Sequence, residues 1–264
     1  MPFLSHDGIQ LYFEQHGSGP PLLLLAGLAS DSQSWPAVLP GLAERCTLIL
    51  LDNRGVGRST QDCAISISLM ADDCAALIRH LGLTRVSLLG HSMGGMVALE
   101  CARRHPELVE RLLLAATAAR NPVRNNLLFQ DWADLYDAGY DRAAWFRSLL
   151  YWIFTERFFE DQRLLQLTLE YLLSYPWPQS AAAFRQQIRA IAAFDARGWL
   201  GQLNVPTCVL AGELDRLIPV EQSNDLVRQL PNAVLTVLQG APHSLQTEQP
   251  ELFVRAVVEF LKPA

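Results

Sequence analysis

One serine, Ser92, stands at the centre of Gly90-His91-Ser92-Met93-Gly94, a G-x-S-x-G pentapeptide. The apolar run Val86 to Leu89 precedes it, and an Ala-containing helical pattern follows at once. The order is strand, sharp turn, helix. A turn this tight brings neighbouring backbone within contact distance, so a Cβ at Gly90 or Gly94 would clash. It lifts the Ser92 hydroxyl clear of the strand and points the Met93 amide at whatever the serine attacks. That arrangement suits acyl transfer. The same serine could instead be a helix N-cap, a favoured role for this residue type, and the pentapeptide alone recurs by chance. The partners downstream decide between the two.

Serine is a weak nucleophile and needs a general base, most often histidine. His6, His16, His80 and His105 sit in segments that read as strand flanks or helix ends. His91 occupies the variable position of the pentapeptide, where its side chain points away from the serine oxygen. His243 lies in the loop Gln239-Gly240-Ala241-Pro242-His243-Ser244, directly after the apolar run Val234 to Val237. The base in turn needs a carboxylate to fix its tautomer. Asp215 and its rival Glu213 both follow the run Thr207 to Leu210, and Asp215 is preferred because Leu217-Ile218-Pro219 then leads into a helix. The segment Ala116 to Ala119, after another apolar run, carries no acid. A tetrahedral intermediate also needs donors. The small-residue turn Ala26-Gly27-Leu28-Ala29-Ser30 can aim the Leu28 amide at an oxyanion opposite the Met93 amide.

These residues need a scaffold, and the apolar pattern supplies one. Runs at Ile9 to Phe13, Leu22 to Leu25, Thr47 to Leu51, Val86 to Leu89, Arg111 to Ala115, Thr207 to Leu210 and Val234 to Val237 predict strands. From the third onward they are mostly continuous, as in parallel strands buried on both faces. Helical patterns cover Ser66 to His80, Met93 to Arg104, Pro219 to Gln229 and Pro250 to Leu261. The alternation predicts an α/β fold whose reactive groups gather at the carboxyl ends of the strands. Between Ala116 and Pro206 no strand is legible, yet most of the chain's aromatic residues fall there. The interval is too long for a plain loop. It reads as a cap of three to four helices, residues 119–200, inserted into a core of residues 1–118 and 201–264. Trp152, Trp145 and Phe154 are the residues expected to wall an apolar pocket.

Composition narrows the function classes. The chain has 264 residues, half of them hydrophobic, enough for a large core. No uncharged apolar run reaches membrane-spanning length, and the first residues lack a signal-peptide pattern. Five scattered cysteines without a C-x-x-C pair fit reduced thiols and a cytoplasmic location. A net charge of −6 with no basic stripe argues against nucleic acid. The Gly55-Val56-Gly57 turn lacks the full pattern of a dinucleotide loop. No spacing suggests a metal site, and Asp72-Asp73 reads as a solvated helix face. The arginines of the cap, Arg142 among them, are expected to face solvent.

Over essentially its whole length the chain resembles the α/β-hydrolase superfamily, and within it the small bacterial esterases and lactonases that include 3-oxoadipate enol-lactonases. The resemblance rests on the Gly27 turn, Asp52-Asn53-Arg54-Gly55-Val56-Gly57-Arg58-Ser59, Gly90 to Gly95, Gly212 to Asp215 and Pro242-His243. It implies a mostly parallel eight-stranded sheet with helices on both faces and a helical cap. It implies a nucleophile at Ser92, a base at His243, a carboxylate at Asp215 and oxyanion donors at the Leu28 and Met93 amides. One departure stands out: Ala26-Gly27 replaces the His-Gly usual before the oxyanion residue. The expected activity is cofactor-free, metal-free serine hydrolysis of a small-molecule ester or lactone. Carbon–carbon bond hydrolysis, thioester hydrolysis, and haloperoxidase or perhydrolase chemistry use the same three side chains. A ligand receptor on this scaffold is the non-enzymatic alternative.

Overall fold

Consecutive apolar residues in a strand face opposite sides, so an unbroken run needs cover on both. Leu22 and Leu24 enter one hydrophobic cluster and Leu23 and Leu25 the other. The computed structural model describes residues 2–262. Its strands are β1 (Phe3–His6), β2 (Ile9–His16), β3 (Pro21–Leu25), β4 (Thr47–Leu51), β5 (Val86–His91), β6 (Val109–Ala115), β7 (Thr207–Gly212) and β8 (Ala233–Leu238). They form one eight-stranded sheet in the order β1-β2-β4-β3-β5-β6-β7-β8. The first two strands run antiparallel and the rest are parallel.

Helices α1 (Leu39–Ala43), α2 (Ile67–His80) and α3 (Met93–Arg104) follow β3, β4 and β5. Helices α4 (Val123–Asp137), α5 (Arg142–Ile153), α6 (Glu156–Glu160), α7 (Gln162–Leu173) and α8 (Ala181–Ala193) fill the interval between β6 and β7. The chain closes with α9 (Val220–Gln229), α10 (Leu245–Glu248) and α11 (Pro250–Leu261). Buried residues of α2, α3 and α9 belong to the first cluster, with Leu23 and Leu25. Leu42 of α1 and Phe253 and Val257 of α11 join Leu22 and Leu24 in the second. The covered middle strands are why β3 to β7 are buried almost throughout, while the edge strand β8 is half-exposed.

The interval after β6 thus holds five helices, one more than the upper expectation, because α6 is a short segment between α5 and α7. Its rings pack largely against one another: Trp145 lies 4.7 Å from Tyr136 and 5.5 Å from Phe184. The Trp145 indole N–H donates to the Trp132 carbonyl at 2.8 Å, the partner a buried indole needs.

Asp73 corrects an expectation. It is fully buried on α2 rather than solvated. Both its oxygens accept from Arg54, from Nε at 2.6 Å and from Nη2 at 2.7 Å, and the third Arg54 arm donates to the Ala64 carbonyl at 2.9 Å. A buried arginine needs this bidentate partner. Asp72, one residue earlier, stays partly exposed and accepts from Arg104 and from His105. Among the described residues no helix is long and apolar enough to cross a membrane.

Candidate active site

Three parallel strands end at one place, and each end is locally strained. Ala29 after β3, Ser92 after β5 and Ala116 after β6 have φ of 55°, 54° and 49°. A side chain with a Cβ adopts that region only at a cost, and such residues concentrate at functional sites. At Ser92 the glycines make the turn possible. A Cβ on Gly94 would come within 2.0 Å of the Leu25 carbonyl oxygen, and one on Gly90 within 2.2 Å of the Gly94 carbonyl oxygen. The backbone of Ser92 is held from the end of β6. Its N–H donates to the Ala115 carbonyl at 2.8 Å, and the Thr117 hydroxyl donates to its carbonyl at 2.7 Å. Ser92 precedes α3 in the N-cap position, yet its side chain accepts no capping hydrogen bond. The hydroxyl is not spent on the helix.

His243 and Asp215 come together from the loops after β8 and β7. Both are buried. The His243 Nδ1–H donates to Asp215 Oδ2 at 2.8 Å. The other carboxylate oxygen, Oδ1, accepts from the Leu217 and Ile218 amides, each at 2.8 Å. The carboxylate is therefore fixed by backbone on one side and aims its second oxygen at the imidazole. With Nδ1 carrying the proton, Nε2 is left as the basic nitrogen. Glu213 is exposed, and its Oε2 accepts from the Gly240 amide at 2.8 Å. It braces the turn that leads to His243 and does not touch the ring.

The Leu28 and Met93 amides donate to no other group among the described residues. Met93 opens α3, where first-turn amides have no partner within the helix and carry its positive end. The next amide in the β3 loop, that of Ala29, donates to Gln187 Oε1 of α8 at 3.1 Å.

Two residues near this centre escaped the sequence. His91 reaches the loop that carries His243: its Nε2 lies 2.9 Å from the His243 carbonyl oxygen. A carbonyl can only accept, so Nε2 carries the proton. Burial first, and then the charge of His243, lower the His91 pKa to about 3. Once unfolded the ring meets water and binds a proton below about pH 6.5. Between those values the unfolded chain holds one proton more than the folded one, so stability is full above about 6.5 and falls as pH drops toward 3. His91→Gln, which keeps a donor for the His243 carbonyl, is expected to remove about 2 kcal/mol of the stability lost between pH 7 and 4.5. Urea unfolding of both proteins at the two pH values measures it, and equal losses would exclude His91 as the source. The other residue is Gln187. A lone glutamine in a helical run gives no signal, because its role depends on which loop the helix meets.

Two cavities border the site. One of about 10 Å³ touches Ser92, Met93, Thr117, Asn121, Phe129 and Leu217, room for about one water. The other, about 190 Å³, lies between the loops after β3 and β4 and the helices α4, α5, α7 and α8. Its walls include Ala29, Asp31, Tyr136, Trp145, Tyr175 and Phe184. Trp145 thus lines the larger cavity. Trp152 and Phe154 line neither: the Arg124 guanidinium sits 5.1 Å over the Trp152 ring, and Phe154 stacks on Phe158 at 4.2 Å. Arg142 is exposed, as expected, and also reaches the rim of the larger cavity with its guanidinium 5.1 Å over Tyr136.

Comparison with known proteins follows the same lines. A protein of Pseudomonas savastanoi pv. phaseolicola, provisionally named carbamate hydrolase RutD, is 31% identical over 94% of this chain and 95% of its own length. A thermophilic esterase from Thermogutta terrifontis superposes with a TM-score of 0.85 at 28% identity, covering 98% of this chain and 96% of that one. The enol-lactonase from Burkholderia xenovorans superposes at 0.87 over 98% of this chain and 99% of that one, but at 23% identity it speaks for the fold alone. A sequence model described as alpha/beta hydrolase fold matches residues 20–250. That span runs from the strand before the Leu28 turn to the loop beyond His243, so the match covers every strand end described above, and the chain belongs to the alpha/beta hydrolase fold family.

Proposed function

We propose that the protein is a serine hydrolase that cleaves a carboxylic ester or lactone through an acyl-enzyme. The observations that carry the reading are the His243–Asp215 pair, its carboxylate held by two amides, and a strained serine at the end of β5 whose hydroxyl caps no helix. In this reading Ser92 Oγ attacks the carbonyl carbon while His243 Nε2 takes its proton. The carbonyl oxygen becomes an oxyanion between the Leu28 and Met93 amides. His243 returns the proton to the leaving oxygen, the C–O bond breaks, and the acyl group stays on Ser92. Water, deprotonated by the same nitrogen, then attacks the acyl-enzyme and releases the acid. The chemistry calls for no metal and no organic cofactor. Residues 119–200 act as a cap over a core made of residues 1–118 and 201–264, and Trp145 forms part of the wall that receives the substrate.

A second reading is carbamate cleavage, favoured by the name of the relative 31% identical to this chain. A carbamate carbonyl takes the same attack, and the acyl-enzyme is the only part that differs. The test is a hydrolysis screen across p-nitrophenyl esters of increasing length, lactones, thioesters and carbamates, run beside labelling by a fluorophosphonate. Turnover of an ester or lactone, with one phosphonyl group on Ser92, is the expected result. Turnover of carbamates alone selects the second reading. Absence of both turnover and label removes the hydrolase reading altogether.

A further inference from the structure

The contact between α8 and the loop after β3 is built with more care than packing requires. Gln187 is fully buried. Its Oε1 accepts twice, from the Ala29 amide at 3.1 Å and from Gln179 Nε2 at 3.0 Å. Gln179 is anchored in turn, because the same nitrogen donates to the Gly55 carbonyl at 2.8 Å. Two donors converge on Oε1, which fixes the orientation of the Gln187 amide. Its Nε2 is buried and meets no acceptor among the described residues. Ala29 is the residue held at φ 55°, a conformation that persists only where the surroundings enforce it. The Leu28 amide is its immediate neighbour along the chain.

The position of Gln187 along α8 adds a second point. Residues three and four apart share a helix face. Phe184, three before, lines the 190 Å³ cavity, and Ile191, four after, lines the 10 Å³ cavity at Ser92. Gln187 therefore lies on the helix face that runs from one cavity to the other, buried behind both and lining neither. From these observations we propose that Gln187 is a positioning residue: it holds Ala29 in its strained conformation and so aims the Leu28 amide, coupling α8 to the oxyanion site. The inference rests on the serine-hydrolase reading given above.

The test compares Gln187→Met, which keeps the shape and loses the acceptor, with Gln187→Glu, which keeps an acceptor for the Ala29 amide. With the best ester from the screen, Gln187→Met is expected to lower kcat about 100-fold, the scale of a misplaced catalytic group, with KM changed less than about threefold. Gln187→Glu is expected to recover at least about tenfold of that loss. Gln179→Ala, which frees Gln187 without altering α8, is expected to lower kcat about 10-fold and serves if either buried variant fails to fold. Phosphonylation of Ser92 by the fluorophosphonate should slow in parallel, because its transition state uses the same amides. A Gln187→Met protein with wild-type kcat and wild-type labelling rate overturns the inference, as does a loss confined to KM or an unaltered Gln179→Ala. Wild-type protein that turns over no ester and takes no label removes the hydrolase reading, and this inference with it.

Discussion

Ser92→Ala is expected to lower kcat on the best substrate by about 10⁶-fold, the scale seen when the nucleophile of a comparable serine centre is removed. The size follows from the role. In the proposed mechanism Ser92 supplies the bond-forming oxygen, and nothing else at the tip of β5 can replace it. The fold should be unaffected, because the hydroxyl caps no helix and the bonds that hold this residue are made by its backbone. Thermal unfolding should therefore match the wild type within a few degrees or so, while labelling by a fluorophosphonate disappears. Measuring kcat with enzyme freshly purified from a host lacking the wild-type gene guards against contamination. Wild-type turnover in the variant would refute the assignment.

Asp215→Asn is expected to cost about 10⁴-fold in kcat. The amide would offer a donor where His243 needs an acceptor, so the ring would adopt the opposite tautomer and Nε2 would lose the basicity that the proposed mechanism asks of it. The Asn oxygen can still accept from the Leu217 and Ile218 amides, which keeps the loop in place and confines the damage to the imidazole. Glu213→Gln is the control. Its carboxylate is exposed and bonds the Gly240 amide, not the ring, so a loss below about 10-fold is expected from a shift in the loop alone. A severe loss in Glu213→Gln with a mild one in Asp215→Asn would exchange the two roles.

Most of the scaffold was legible because buried parallel strands leave an unmistakable trace. The leucines of β3 read as a strand, and the structure sends them alternately into the two clusters, so that it too is buried on both sides. The strand that escaped, β1, is short, with two apolar residues followed by two polar ones, which is weak as an apolar signal. Its cue lay in the turn instead. Asp7-Gly8, with φ of 49° and 75°, is the residue pair a two-residue hairpin prefers. The pairing of His243 with Asp215 followed from chain order and from the acid's place before Leu217. Burial of Asp73 did not follow, since its partner Arg54 lies on a different element and only the fold brings them together. Which rings reach a cavity was likewise illegible. Trp145, Trp152 and Phe154 share a stretch of sequence, and only the crossing of α4, α5 and α8 decides that the first faces the larger cavity.

The joint between α5 and the loop of His243 sets a limit on how this protein can be recombined. The Ser244 amide donates to the Ile153 carbonyl at 2.9 Å. Two residues on, the Thr155 amide and hydroxyl donate to the Glu248 carboxylate at 2.9 and 2.8 Å. The chain from 153 to 155 is thus fastened to the segment that directly follows the imidazole, from Ser244 to Glu248, some ninety residues away in sequence. A chimaera that exchanges the helices between β6 and β7 at the obvious strand boundaries would cut no peptide near His243, yet it would replace the partner of Ser244 and Glu248. The exchangeable module is therefore discontinuous: a donor segment must bring residues 244 to 248 with it, or reproduce the carbonyl at 153 and the hydroxyl at 155. Libraries built on such crossovers should yield folded but inert proteins wherever that bond pair is lost.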